Sequence, residues 1–439
     1  MGSFSLLINQ NGSLATRGCE FQARKYSIAL TEQKLYVVYR TKEWVLAVIN
    51  ANKVRWAGAV LGAFVLISIL LNSNLLGVWA GPVMSMGVSE SGRYVVSAHT
   101  DNKLILWDLQ EKQWNTLSGK ANLYSAYFVP GQNAFLWQDT DNTVTAQTVD
   151  GKVLKRFQHF PTYGHVISGD LETYLSADEH WNVFSGYGDT KRTVLSDGIS
   201  PSFLGSGKLF NLAIDRNNTF FVTAGVDSDR SAIADHSPLN SSQRFSKYGG
   251  VTLWNAKTKQ PVAKLRGNSS KTHATISPNG RWVVSGDEAG NGITWHTSNP
   301  EHRMRAARYN SGLYVDGLPD DLPDSDYFDK SGLIEAPRGV HDFTIALAFI
   351  HNSDYYLRFG NNSHVAALFK TGSPWPVKYF DLGESPKLVT YGSQYSRNTA
   401  IATSPEAGIL AMGHKSTGGI SVYQFDPDEL TLERIWVEE

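Results

Sequence analysis

The stretch whose reading decides the fold is Met86 to Leu109, MGVSESGRYVVSAHTDNKLILWDL. An apolar run opens it and Glu90-Ser91-Gly92 breaks it. Tyr94 to Ala98 is a second run, Asp101-Asn102 breaks that in turn, and Leu104 to Trp107 is a third. Short runs of β-branched, aliphatic and aromatic residues bounded by Gly, Asn, Asp and Ser are the pattern of antiparallel strands joined by tight turns. Trp114 to Leu117 offers an outer fourth strand.

The plan recurs along the chain. Ala126 to Ala146 repeats it about 40 residues on, with Pro130-Gly131-Gln132-Asn133 as first turn and Asp141-Asn142 in register with Asp101-Asn102. A third unit has Gly169-Asp170 in the first turn, Thr173 to Ala177 and Trp181 to Phe184. The fourth runs from Ala213 through Phe220 to Ala224, and reaches Val251-Thr252-Leu253-Trp254 only after a polar insertion, Asp227 to Tyr248. The fifth is the plainest: Ala274 to Ser277, Pro278-Asn279-Gly280, Arg281 to Gly286, then Gly292 to Trp295. A sixth passes through Thr344 to Ile350, Tyr355 to Phe359 and Val365 to Phe369. A seventh runs Thr399 to Thr403, Ile409 to Gly413, Ile420 to Tyr423 and Leu432 to Val437.

These units resemble the Trp-Asp (WD) repeat family, most specifically at Ser277-Pro278-Asn279-Gly280-Arg281, Leu106-Trp107-Asp108 and Leu253-Trp254-Asn255. The resemblance covers about Val83 to Val437. It implies an all-β, about seven-bladed β-propeller in which each four-stranded blade buries both faces against its neighbours. The Gly-His dipeptide of family repeats is absent, Gly81-Pro82 and Gly267-Asn268 being the nearest equivalents. Of the family's Ser, His, Asp, Trp network, Ser97, Asp101 and Trp107 fill three positions in the first unit.

Upstream lies a different kind of sequence. Trp56 to Trp79, WAGAVLGAFVLISILLNSNLLGVW, holds no charged side chain, against the roughly 20 apolar residues a transmembrane helix needs. Asn72-Ser73-Asn74 interrupts it, and a tryptophan stands at each end, where indoles favour the headgroup region. A buried helix of a soluble domain needs a polar face, and Ala57 to Leu71 offers only Ser68. The stretch is therefore read as a single transmembrane helix, residues 56–79. A cleaved signal peptide fits less well, because the leader is about 55 residues long against the 15–30 of an ordinary signal. Arg17, Arg24, Lys25, Lys34, Arg40, Lys42, Lys53 and Arg55 precede the span and only Arg93 follows closely, which places the N-terminus in the cytoplasm and the rest outside. Gly58 and Gly62 form a small-xxx-small pair through which two such helices could pack as a homo-oligomer.

Residues 1–55 read as a small β-rich unit, with strands over Lys25 to Leu30 and Leu35 to Tyr39 turning at Thr31-Glu32-Gln33-Lys34. Trp44 to Ile49 fits a strand or the lead into the membrane helix. The chain balances 40 basic against 41 acidic residues, so no global field points to nucleic acid. Its lone cysteine, Cys19, excludes an intrachain disulfide and suits a bacterial periplasm better than an animal cell surface.

Chemistry-bearing patterns are sparse. No P-loop, G-x-S-x-G elbow, GxGxxG fingerprint or HExxH pair occurs, so no enzyme activity, cofactor or metal is expected. Asp320, Asp321, Asp324, Asp326 and Asp329 crowd the loop Val315 to Ser331; their spacing does not match an EF-hand, and they are read as a partner-contact loop. Trp375, held between Pro374 and Pro376, is a candidate anchor for a protein partner. Together these features predict a bacterial inner-membrane, single-pass scaffold. Its propeller lies in the periplasm and presents Asp227 to Tyr248, Val315 to Ser331 and Pro374 to Pro376 to other envelope proteins, as in a secretion, conjugation or pilus machine. The alternative is a sensor whose propeller binds a small molecule or ion and signals across the membrane.

Overall fold

Runs of apolar residues too short for helices and punctuated by turn formers have one economical outcome, antiparallel strands, and the computed structural model has 31 of them among its described residues. It describes residues 26–31, 34–39 and 49–50. From residue 80 to residue 438 it describes all but 122–125, 158–163, 178–182, 186–192, 197–210, 227–248, 266–267, 269–271, 288–291, 307–343, 361–363, 374, 384–399 and 415–416. The chain divides into two compact units, Met1–Leu76 and Gly77–Glu439.

In the first unit β1 (Tyr26–Thr31) pairs with β2 (Lys34–Tyr39), and β2 pairs with β3 (Ile49–Asn50). Glu32 and Gln33 alone separate β1 from β2, which sets the register Leu30 opposite Leu35. The short β3 shows that the end of Trp44 to Ile49 is extended. The segment 56–79, with Gly58 and Gly62, lies outside the described residues. Among the described residues, no helix is long and apolar enough to cross a membrane.

The second unit is seven four-stranded antiparallel sheets, each built from consecutive strands. Blade 1 is β4 (Val83–Val88), β5 (Tyr94–His99), β6 (Leu104–Asp108) and β7 (Gln113–Ser118). Blade 2 is β8 (Tyr127–Phe128), β9 (Ala134–Gln138), β10 (Val144–Thr148) and β11 (Val153–Phe157). Blade 3 is β12 (Gly164–Ile167), β13 (Tyr174–Ala177), β14 (Val183–Ser185) and β15 (Thr193–Ser196). Blade 4 is β16 (Asn211–Ile214), β17 (Phe220–Val226), β18 (Gly249–Asn255) and β19 (Pro261–Leu265). Blade 5 is β20 (Thr272–Ile276), β21 (Trp282–Asp287), β22 (Gly292–His296) and β23 (Asn299–Ala306). Blade 6 is β24 (Thr344–His351), β25 (Tyr355–Gly360), β26 (Val365–Lys370) and β27 (Pro376–Asp381). Blade 7 is β28 (Ile401–Ser404), β29 (Ile409–Gly413), β30 (Ile420–Asp426) and β31 (Thr431–Glu438).

The core sits between blades. Val95, Ile105 and Trp107 of blade 1 pack with Ala400, Ala411 and Val422 of blade 7, and the other six interfaces carry similar clusters. That seventh cluster, between the first and last blades, closes the sheets into a ring; β28 packs on β4 as β4 packs on β8, β12 on β16, β16 on β20, β20 on β24 and β24 on β28. With both faces covered, the middle strands are buried without alternation, as in Leu104 to Trp107. The outer strands run along the rim and alternate or stay exposed. Close approach is extreme at Gly87, where a methyl group would lie 2.5 Å from the Tyr127 Cα of blade 2.

The outer strand of blade 7 is β31, which holds the Leu432 to Val437 segment. Every blade is therefore contiguous in sequence. At the seam, the Trp107 and Trp436 rings meet edge to face with centroids 5.9 Å apart, a favoured aromatic geometry.

Candidate functional site

Strand order alone sorts the connections onto two faces. In each antiparallel blade the first-to-second and third-to-fourth connections leave from one side, and the second-to-third and blade-to-blade connections leave from the other. On the first, the turn face, connections run from two residues (297–298) to seven (186–192). On the second, the loop face, four connections are far longer: 22 residues (227–248), 14 (197–210), 37 (307–343) and 19 (382–400). The chain also enters β4 at the loop face.

The turn face is sewn together. Gln132 Nε2 donates to the Gly169 carbonyl, joining blades 2 and 3, and Asn218 Nδ2 donates to Thr173 Oγ1 at 3.1 Å, joining blades 3 and 4. The backbone N–H of Arg216 donates to the Pro278 carbonyl at 3.1 Å, that of Asn279 to Ser353 Oγ at 3.2 Å, and that of Asn352 to the Pro405 carbonyl at 2.8 Å. Ser404 Oγ then donates to the Glu90 carbonyl at 2.7 Å, across the seam. These bonds satisfy backbone groups that a tight turn otherwise leaves to water. The turns themselves share one chemistry: Ser89, Ser168 and Ser277 each accept, at 2.9 Å, the N–H of the residue five further on. Asp215 does the same for Phe220 at 2.5 Å, and burial still pushes its carboxyl above the usual range.

Within the blades, the aligned tryptophans anchor polar links. Trp107 stands opposite Val95, and its Nε1–H donates to Ser97 Oγ at 2.8 Å, the hydroxyl two residues further along the facing strand. Trp254 opposite Phe221 repeats this with Thr223 Oγ1 at 3.0 Å. In blade 1 the chain of bonds continues: Ser97 Oγ lies 2.7 Å from His99 Nε2, and His99 Nδ1 lies 2.8 Å from the Gly81 carbonyl. A carbonyl can only accept, so Nδ1 carries the proton of the neutral ring and Nε2 accepts from Ser97. His99 is buried, which holds its pKa down at about 4 despite the Gly81 carbonyl and Asp101.

The network differs from the sequence reading in one member. Asp101 pairs with Lys103 at 3.0 Å, and His99, from the end of β5, fills beside Ser97 the histidine position that the absent Gly-His dipeptide left open. The signal was in the sequence as Ser-x-His, two side chains on one face of one strand. In blade 5 Asn268, from Gly267-Asn268, is buried and accepts from Ser285 Oγ at 2.8 Å, a role comparable to the missing histidine. His414 and Ser421, 2.8 Å apart, form a similar pair in blade 7.

The sequence-derived partner residues separate. Asp320, Asp321, Asp324, Asp326 and Asp329 lie outside the described residues, within a connection that joins β23 to β24 on the loop face. Trp375 is partly buried on the opposite, turn face, where its backbone N–H donates to Ser373 Oγ at 3.3 Å. Among the described residues no group of three or more His, Cys, Asp and Glu side chains is placed to hold a metal ion.

Comparison with known proteins agrees with this architecture. The repeat described as "WD domain, G-beta repeat" matches residues 73–108. Among solved structures, the chain is similar to the β-propeller domain of Cps50 (Swd1) from Myceliophteria thermophila. The identity is 13%, the match covers 80% of this chain and 99% of that one, and the TM-score is 0.52. In all, 1481 chains of solved structures match, a breadth that speaks for the architecture and not for one activity. No curated protein matches the sequence. Residues 80–438 thus form a WD-repeat-like β-propeller.

Proposed function

We propose that this protein is a membrane-anchored scaffold whose propeller gathers other proteins of an envelope-spanning assembly. Propellers of the WD-repeat kind generally serve as protein-interaction platforms. One observation carries the reading further: the long connections collect on a single face while the other is closed by short turns hydrogen-bonded to one another. Long insertions on a rigid frame are where binding function concentrates. The loop face, with 227–248 and 307–343, is thus the docking surface, and Asp320, Asp321, Asp324, Asp326 and Asp329 give it an acidic element for a basic partner. Trp375, on the other face, belongs to a separate contact.

The membrane part rests on the sequence. The uncharged stretch 56–79 and the basic residues before it support an inner-membrane anchor with a cytoplasmic N-terminus and a periplasmic propeller. Gly58 and Gly62 support association of two anchors. The role is binding, not catalysis.

Mild crosslinking in membranes followed by purification of the full chain tests this. A set of envelope proteins should co-purify, and should be lost when 227–248 is replaced by a four-residue turn. Recovery of an isolated chain carrying a small molecule, or a partner set indifferent to that replacement, overturns the scaffold and favours a sensor. A reporter fused after Glu439 that is active only in the cytoplasm overturns the orientation.

A further inference from the structure

A seven-membered ring has a weak point wherever its chain ends meet. Here no strand is exchanged between blades 7 and 1, so packing and the Ser404–Glu90 bond hold the seam. Blade 4 stands opposite that seam in the ring. Its turn nevertheless touches both sides of it: Arg216 Nη2 pairs with Glu90 Oε1 of blade 1, and Nη1 lies 3.9 Å from Glu406 Oε1 of blade 7.

We propose that Arg216 is an ionic latch on ring closure, a single guanidinium that reaches from blade 4 across the axis and ties Glu90 and Glu406, one carboxylate on each side of the seam. Three features of the structure support it. Both glutamates sit in the turn between the first and second strands of their blades, the innermost pair, so their side chains approach the axis. The planar guanidinium presents separate N–H groups to two carboxylates at once, which a lysine ammonium does less well. Burial and the neighbouring charge of Glu90 push the Glu406 carboxyl above the usual range, and the Arg216 charge opposes them.

With the Arg216 side chain 47% exposed, the latch is weak and open to salt. It biases local opening at the seam instead of deciding whether the protein folds. Hydrogen exchange of the full chain reads this directly. In Arg216→Gln, amides of β4 and β28 should exchange about two- to fivefold faster, while β20 to β22 keep their rates. About 1 M salt should do the same to the wild type and add nothing to the variant. Glu406→Gln, which leaves the Glu90 pair in place, should loosen β28 in the same sense by a smaller factor. Unchanged exchange at the seam, or a rise shared equally by all seven blades, overturns the proposal.

Discussion

Lowering the pH should open the blade 1 network through His99. The ring is buried and neutral, its pKa lowered from 6.5 to about 4, with desolvation as the leading cause. A histidine depressed on folding binds its proton more readily when unfolded. The stability it represents is therefore complete above about pH 6.5 and is lost as pH falls toward 4. Between about pH 7 and pH 4.5 linkage gives a loss of about 2 kcal/mol from this group alone. Asp101 and Lys103 face the same ring, the first opposing the depression and the second adding to it. The control is His99→Asn, since Asn268 shows that an asparagine can serve such a position beside Ser285. Denaturant titrations at about pH 7 and 4.5 should show the wild type losing about 2 kcal/mol more than the variant, because carboxylates titrating in the same window are common to both. Equal losses would falsify the assignment of a buried, neutral His99.

Other perturbations test the frame. Trp107→Phe keeps the seam contact with Trp436 but deletes the donor to Ser97, and should cost about 1–3 kcal/mol by thermal or chemical denaturation. Gly87→Val forces a side chain into the backbone of blade 2 and should cost about 1–3 kcal/mol, a cost that a mutation to alanine at exposed Gly119 should not reproduce. Asn142, at φ +63° in its turn, tolerates glycine, whereas Asn142→Ala should lose about 1 kcal/mol in the same assay.

Sequence was a good guide wherever burial wrote a pattern into it. The three inner strands of each blade are short apolar runs, and their turns carry the residues that such turns need: Asn102 and Asn142 both take positive φ, as their register suggested. Outer strands β11, β15, β19, β23 and β27 went unread. Of these, β11, β19 and β23 face water over much of their length and carry sequences such as Val-Leu-Lys-Arg-Phe with no sustained apolar face. The face asymmetry needed only strand order, yet it separates Trp375 from the acidic loop that composition had grouped with it. His99 and Arg216 were illegible for another reason. The first left only the short Ser-x-His spacing of Ser97 and His99 as its signal, and the other reaches Glu90, 126 positions distant in the chain, with no local spacing to announce it.

Contiguity of the blades has a consequence for how the molecule is made. Apart from the 22-residue connection 227–248 in blade 4, each blade closes through hairpins of a few residues, so six interfaces can form in order as the chain emerges, each at local entropic cost. The seam cannot: Ser404 and Glu90 are 314 residues apart. Closing so long a span costs about 3 kcal/mol more than closing a hairpin of about 15 residues. Assembly is thus a zipper with one late ligation, and until that event the apolar faces of Val95 and Val422 have no mate. A chaperone, or a second chain halted at the same stage, would find its target there.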